Sequence, residues 1–240
     1  MAVKQQVLFS DLGVGRYQPI WDLQERLLAE TVAVKTAHFE ADPMTRPTRH
    51  RLLIVEHPPV YTLGKSGHIE NILISEDEMK AKGIDYFKIN RGGDITFHGL
   101  QQLVGYPIID LEKFYTDIGK YLRSLEEVII RSIAHFGIEG SRSPGETGVW
   151  IEPGIKGSER KICAMGVRTS RWVSMHGWAL NVNTDLSYFK NIIPCGIRDK
   201  AVTSMQQELG APIDYELVKT IVLQEFSEVF GVEMVDEKIG

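Results

Sequence analysis

The chain has 240 residues, 43% hydrophobic, 9% aromatic and 25% charged. That is a globular composition, long enough to bury a core without cross-links. Lys and Arg number 27 against 32 Asp and Glu, a net charge of −5, so the basic footprint of a nucleic-acid binder is missing. No run of about 18 apolar residues is present, so no membrane-spanning helix is expected. The opening MAVKQQVLFS lacks the apolar stretch of a secretory signal. Two cysteines, Cys163 and Cys195, make no disulfide framework and read as thiols of a reducing compartment. A cytoplasmic protein is the expectation.

In chain order, Ile20, Leu23, Leu27 and Leu28 space a helix near residues 19–39. Residues 41–50, with two prolines among polar side chains, read as a loop. A β-type run follows at 51–56 (RLLIVE) and another at 102–109 (QLVGYPII). Ile118, Leu122, Leu125, Ile129, Ile133 and Phe136 recur at three and four, which predicts a helix over 116–136 with Thr116 as N-cap and Gly137 as its stop. Residues 140–148 are irregular. Runs at 148–151, 161–167 and 172–182 read as strands, the first two joined by a hairpin loop at 152–158 (EPGIKGS). Thr203 or Ser204 starts a short helix over 205–209. Leu217, Ile221, Val222, Phe226, Val229 and Phe230 mark a last amphipathic helix. Strands cluster mid-chain without regular alternation with helices. The expectation is an α+β fold, a mixed and largely antiparallel sheet flanked by helices, in one domain over 1–240.

Three segments carry chemistry. In NRGGDITFHGLQ, at 90–101, Arg91 precedes two glycines that permit close backbone approach to a ligand, and His98 follows a short β-like run. For RGG alone, a strand entered through a glycine turn is the better explanation; the pattern gains specificity from Thr96, Phe97, His98 and Gly99 after it. In RKICAMGVR, at 160–168, Lys161 starts an apolar strand, where it either reaches solvent or stands beside a reactive group and stabilises an anion. In NIIPCGI, at 191–197, Cys195 lies between Pro194 and Gly196, a turn that presents a thiol rather than packing it. Cys163, inside an apolar strand, reads as a small buried hydrophobe. The seven histidines form no HxxxH pair and no CxxC occurs, so no metal is expected. Neither GxxxxGK[ST] nor GxGxxG is present, so no nucleotide-phosphate cradle is expected.

Together and in this order, RGGDITFHG, RKICAMGVR, MHGWALNV and IPCGI resemble the octanoyltransferases of lipoate biosynthesis, the lipoate–protein ligase B type family. EHPPVYTLGKSG at 56–67 resembles the family's N-terminal motif. The resemblance implies a biotin/lipoate ligase-like fold and transfer of an octanoyl group from octanoyl-acyl carrier protein to a lysine of apo lipoyl domains. Those acceptors are the 2-oxoacid dehydrogenase E2 subunits and the glycine cleavage H protein. It implies Cys195 as the acyl-thioester nucleophile and Lys161 as the lysine that lowers the thiol's pKa. Arg91, Gly92, Gly93, Asp94, Ile95, Thr96, Phe97 and His98 match the acyl-substrate loop. Ala164, Met165, Gly166, Gly177, Trp178 and Ala179 match two further substrate-binding strands. No cofactor, nucleic acid or membrane is implied, and a monomer is expected. The usual family loop is RGGQxTYHGPGQ; here Asp94 stands for Gln, Phe97 for Tyr, Leu100 for Pro and Gln101 for Gly.

An acyl thioester is already activated, so passing it to an amine needs no ATP, in keeping with the missing nucleotide motifs. Residues 142–171 carry Arg142, Lys156, Arg160, Lys161, Arg168 and Arg171 against Glu146, Glu152 and Glu159. This basic excess either steers an acidic carrier protein or is an ordinary solvated hairpin. The acidic segment at 214–238 is expected to face away from the site. Three other readings stay open. An ATP-dependent lipoate or biotin ligase would work without a cysteine. An amidotransferase between carrier proteins differs in its donor. A non-catalytic carrier-binding module would not need a reactive thiol.

Overall fold

The computed structural model describes residues 4–193 and 201–239. Pro194, Cys195 and Gly196, and with them the expected nucleophile, lie outside the described residues. The strands are β1 (Gln6–Val14), β2 (His50–Glu56), β3 (Val60–Leu63), β4 (Asp85–Lys88), β5 (Ile95–His98), β6 (Gln102–Ile108), β7 (Val149–Ile151), β8 (Arg160–Ser170), β9 (Val173–Asn181), β10 (Ala201–Val202) and β11 (Glu233–Asp236). The helices are α1 (Tyr17–Ala37), α2 (Glu76–Ala81), α3 (Ile118–Ala134), α4 (Met205–Leu209) and α5 (Tyr215–Phe230). The main sheet runs β10-β8-β9-β6-β2-β1-β11, with β7 paired to β8. Its centre is antiparallel and its edges are parallel. A second sheet, β4-β3-β5, stands apart from it.

The expected α+β class and mixed sheet are what the chain adopts. Its three long helices match the periodic segments to within two residues. One cap differs. Asp117, not Thr116, caps α3 by accepting from the Lys120 N–H at 2.9 Å, while Gly137, at φ +77°, ends the helix. Ser204 caps α4, accepting from Gln207 N–H at 3.1 Å. β1, β3, β4 and β11 were not legible as strands; each is completed by partners far away in sequence, as β1 is by β2 and β11.

The helices divide between the two faces of the main sheet. α3 and α5 cover one face through Leu125, Val128, Ile129, Val222 and Phe226, packed on Leu103, Trp178 and Leu180. α1 covers the other through Leu27 and Leu28, against Leu53, Val104, Tyr106 and Ala179. The small sheet packs beside α1, its apolar side filled by Tyr61, Leu63, Phe97 and Phe189. The acidic 214–238 segment, most of it in α5, thus sits on the face opposite α1.

A buried ion pair ties α1 to the sheet. Lys35 Nζ lies 2.5 Å from Asp110 Oδ1 and donates to Arg171 O at 2.8 Å. Asp110 also accepts from Thr48 Oγ1 at 3.1 Å. Removing one member strands a charge in a water-poor site. Lys35→Met is expected to lower stability by about 3 kcal/mol, read as the shift in urea midpoint at constant slope.

Candidate active site

The site grows out of the paired strands β8 and β9. Their register sets Ala164 against Ala179 and Gly166 against Gly177. Neighbours in a strand point to opposite faces. Cys163 therefore turns into the α3/α5 core, while the alanine and glycine pairs floor the α1 face. A trough opens there because no side chain larger than a methyl stands on its floor. At Gly166 an added Cβ would come 2.8 Å from Gly92 O and 3.2 Å from Arg91 Cδ. The walls come from Tyr17 of α1, the 91–98 segment, Gln102 and Tyr106 of β6, His176 and Asn181 of β9, Phe189 and Val202.

The 91–98 segment is held on three sides. Arg91 Nη2 donates to Thr62 O at 2.8 Å and to Thr62 Oγ1 at 3.1 Å. Gly92 N–H donates to Val167 O of β8 at 3.1 Å. The GKSG turn grips the loop from behind through Gly64 N–H to Asp94 O, Lys65 N–H to Arg91 O and Ser66 N–H to Gly93 O. A Cβ at Gly64 would lie 2.3 Å from Gly93 O, so the grip needs glycine. The residues resembling an N-terminal motif are thus the clasp of the RGG loop, not a separate phosphate site.

Of the expected site residues, Lys161, Arg91, Gly93, Asp94, Ile95, Thr96, His98, Ala164, Met165, Gly166, Gly177, Trp178 and Ala179 line this one cavity. Gly92 supplies a backbone bond to β8 instead. Phe97 turns away into the small-sheet cluster, its ring stacked on Tyr188 at 4.7 Å. The Trp178 ring lies over Gly105, its cross-strand partner on β6, and packs on Phe226. Asp94 accepts from Asn71 Nδ2 at 2.7 Å and from Ile95 N–H at 2.7 Å, so its carboxylate locks the loop base. Lys161 places its ammonium over the Trp150 ring, 4.5 Å from the centroid. Burial pushes the Cys163 thiol far above its ordinary range, consistent with a packing role.

Sequence reasoning missed Tyr17, Gln102, Tyr106, His176, Asn181, Phe189 and Val202. His176 sits inside the MHGWALNV motif, and its φ of +58° was invisible there. That turn of the backbone takes the His176 N–H out of the strand ladder and onto Gln24 Oε1 of α1 at 3.0 Å. The cavity's polar end is a set of neutral rings. His57 donates from Nδ1 to Gly15 O at 2.7 Å, so its Nε2 accepts from the Tyr106 hydroxyl at 2.8 Å. Burial lowers the pKa of His57 to about 4 and of His176 to about 3. Burial also holds His98 well below 6.5, with His57 adding to the effect.

Of the six basic residues expected to give a positive excess around the β7–β8 hairpin, three are paired with glutamates. Arg142 meets Glu126 and Glu127, Arg160 meets Glu152 and Glu208, and Arg168 meets Glu25.

Comparison with known proteins agrees with this geometry. Residues 16–227 match the model of the lipoyl protein ligase A/B catalytic domain. An octanoyltransferase of Christiangramia forsetii is 55% identical over 97% of this chain and 99% of its own length. One from Flavobacterium johnsoniae is 53% identical over 97% of this chain and 100% of its own. Among solved structures, a bipartite lipoate protein ligase from Thermoplasma acidophilum superposes with a TM-score of 0.68 at 17% identity, covering 99% of this chain and 88% of that one. That likeness is one of fold.

The buried histidines make stability depend on pH. His50, its pKa lowered to about 4, joins His57, His98 and His176 as histidines kept neutral in the fold. Unfolding lets each bind a proton below its ordinary pKa. Their stabilisation is thus complete above pH 6.5 and is lost as the pH falls toward 4. Urea midpoints at pH 7.5 and 5 should differ by about 1–2 kcal/mol per histidine. Separately, Gln101 holds φ +60° where the resembling family has glycine, fixed by its N–H to Glu56 Oε2 and its Oε1 to Asn183 Nδ2. Gln101→Ala keeps the strained backbone and loses the side-chain bond. It should be less stable than Gln101→Gly by about 1 kcal/mol in thermal melts.

Proposed function

The chain belongs to the family of lipoyl protein ligase A/B catalytic domains, and we propose that within it this protein is an octanoyltransferase. It moves an octanoyl group from octanoyl-acyl carrier protein to the lysine of apo lipoyl domains through a Cys195 thioester, with no ATP and no cofactor. One observation carries this reading. An ammonium, Lys161, lines the same cavity as a trough floored only by Ala164, Ala179, Gly166 and Gly177. Strands rise about 3.3 Å per residue, so the four steps from Asn181 to Gly177 span roughly 13 Å, the scale of an eight-carbon acyl chain. At about 0.8 kcal/mol per buried methylene, such a chain contributes roughly 5 kcal/mol of binding without a charged contact.

The mechanism follows from the residue types. The Cys195 thiolate attacks the donor thioester, and the carrier's thiol leaves. An ammonium such as Lys161 favours the thiolate over the thiol, gives its proton to the carrier's departing sulfur and, as the neutral amine, takes up a proton from the attacking lysine in the return step. The acceptor amine then attacks the enzyme-bound acyl group, forming the amide and releasing the thiolate. The strong identity to proteins named octanoyltransferases supports this choice over an ATP-dependent ligase sharing the fold. The whole chain acts as one catalytic domain in a cytoplasmic monomer. Among the described residues, no helix is long and apolar enough to cross a membrane. The acceptors are lipoyl domains of the 2-oxoacid dehydrogenase and glycine cleavage type. Because the hairpin's arginines are already paired with glutamates, carrier docking is expected to depend weakly on them.

The deciding measurement is intact-protein mass spectrometry after mixing with octanoyl-acyl carrier protein and no ATP. Wild type is expected to gain one octanoyl group that hydroxylamine removes, and Cys195→Ser to gain none. An unmodified wild type would sink the covalent mechanism.

A further inference from the structure

The trough has a mouth and a buried end, and strand register orders the residues between them. Val202 of β10 stands opposite Lys161 on β8. Further along β8, Ala164 faces Ala179, Gly166 faces Gly177 and Val167 faces His176. Val202, Lys161 and Thr96 are half-buried, while His176 and Tyr17 are 2% exposed and Tyr106 is 3% exposed. The Lys161 end is therefore the mouth. A carrier protein and a lipoyl domain are both too large to enter. The reacting carbonyl stays at the mouth, and the methyl end of the chain leads toward the buried rings.

One backbone angle puts the His176 ring at that end. Val173, Met175 and Ala179 of β9 face α1, and Gly177 shares their face. Residue 176 would ordinarily point the other way, as Ser174 does toward Tyr121 of α3. At φ +58°, His176 instead turns its N–H onto Gln24 Oε1 at 3.0 Å and its ring into the cavity beside Gly177. A side chain is strained in that backbone conformation. The ring is then tied to α1 as well. Asn90 Nδ2 donates to Glu25 Oε1 at 3.1 Å, which leaves Asn90 Oδ1 as the acceptor facing His176 Nε2 at 3.2 Å. Nε2 therefore carries the proton. Arg168 Nη1 holds the same Glu25 oxygen at 2.6 Å. Burial keeps the imidazole neutral, so a methyl group that meets it strips no ion of water.

We propose that the His176 ring is the end stop of the acyl trough and fixes the length of chain the enzyme takes. The inference rests on the octanoyl-transfer reading and assigns its chain-length limit to one side chain. The stretch from Asn181 to Gly177 is roughly 13 Å at about 3.3 Å per residue, and His176 is the next residue along β9. Trough and eight-carbon chain end together there. Glycine is the substitution that isolates the ring, because it adopts φ +58° without strain and leaves the space empty. Asparagine also tolerates a left-handed φ and is shorter than histidine.

The test is a competition on the full chain. Octanoyl- and decanoyl-acyl carrier protein are supplied in equal amounts without ATP, and early enzyme adducts are compared by intact-protein mass spectrometry. The ratio of the two adducts does not depend on how much of a variant is folded. Wild type is expected to favour octanoyl. His176→Gly should raise the decanoyl-to-octanoyl ratio about tenfold, as two newly buried methylenes require, and His176→Asn should raise it less. If the glycine variant does not fold, the asparagine variant decides by the same ratio. Lys35→Met, destabilised further along α1, should keep the wild-type ratio. A wild type that takes decanoyl as readily as octanoyl would overturn the proposal. So would a ratio unmoved by either His176 substitution, or one raised as much by Lys35→Met, which marks general loosening. Failure of wild type to form any adduct overturns the parent reading, and this inference with it; an unmoved ratio leaves the adducts and that reading in place.

Discussion

The cavity depends on one steric constraint. Four cross-strand positions of β8 and β9 carry nothing beyond a methyl group on the α1 face. A sheet face would ordinarily be filled by helix side chains at native packing density. Here α1 packs on the adjoining part of the face through Leu27 and Leu28, and the small sheet with its RGG loop covers the remainder. The backbone of Gly92 then bonds directly to β8. A valine on that floor would remove the trough and break the contact between the two sheets at once, so binding space and sheet-to-sheet packing share the same residues.

Polar groups at the closed end are arranged to be satisfied without charge. The Arg91 charge acts on His98, His176, Tyr17 and Tyr106, and burial disfavours the ionised form of each of these rings, as it does for His57. Arg91 itself is placed by Thr62 of β3 rather than by a carboxylate. An apolar acyl chain can therefore enter without meeting a buried anion. The ionic contacts sit elsewhere, as in the Lys35–Asp110 pair under α1 and the glutamate-paired arginines beside the β7–β8 hairpin. Surface pairs of that kind contribute little to stability. What they do is remove local positive potential from beside the mouth, where composition alone would have suggested a steering field.

Much was legible before folding. The helix periods at 19–39, 116–136 and 217–230 and the mid-chain strands gave the α+β class, because burial of one face fixes spacing directly. The ordered motifs gave Lys161, Arg91 and His98 as site residues. Less legible were the elements whose stability comes from distant partners. β1 is completed by β2 and β11, and the small sheet by pairing across the 64–94 clasp. Phe97 shows the same limit inside a motif. Its neighbours Thr96 and His98 line the cavity, and the pleat sends Phe97 into an aromatic cluster whose members come from residues 61, 188 and 189.

The sequence by itself determined the chemistry: an acyl-transfer motif set, one strand lysine, small residues at 164, 166, 177 and 179, and no nucleotide-binding pattern. Periodicity and residue type are local properties, and they survive in a string of letters. Only the tertiary structure decided that these small residues pair across two strands into one floor. It also decided that GKSG clasps the RGG loop and that Tyr17, Gln102 and Asn181 join the wall. The orientation of the Gln102 amide is the clearest case. It depends on His98, Asn181 and, through Asn181, Thr203, residues spread over more than a hundred positions of the chain. A hydrogen-bond direction is set by which atoms meet, and those atoms meet only once the chain has folded.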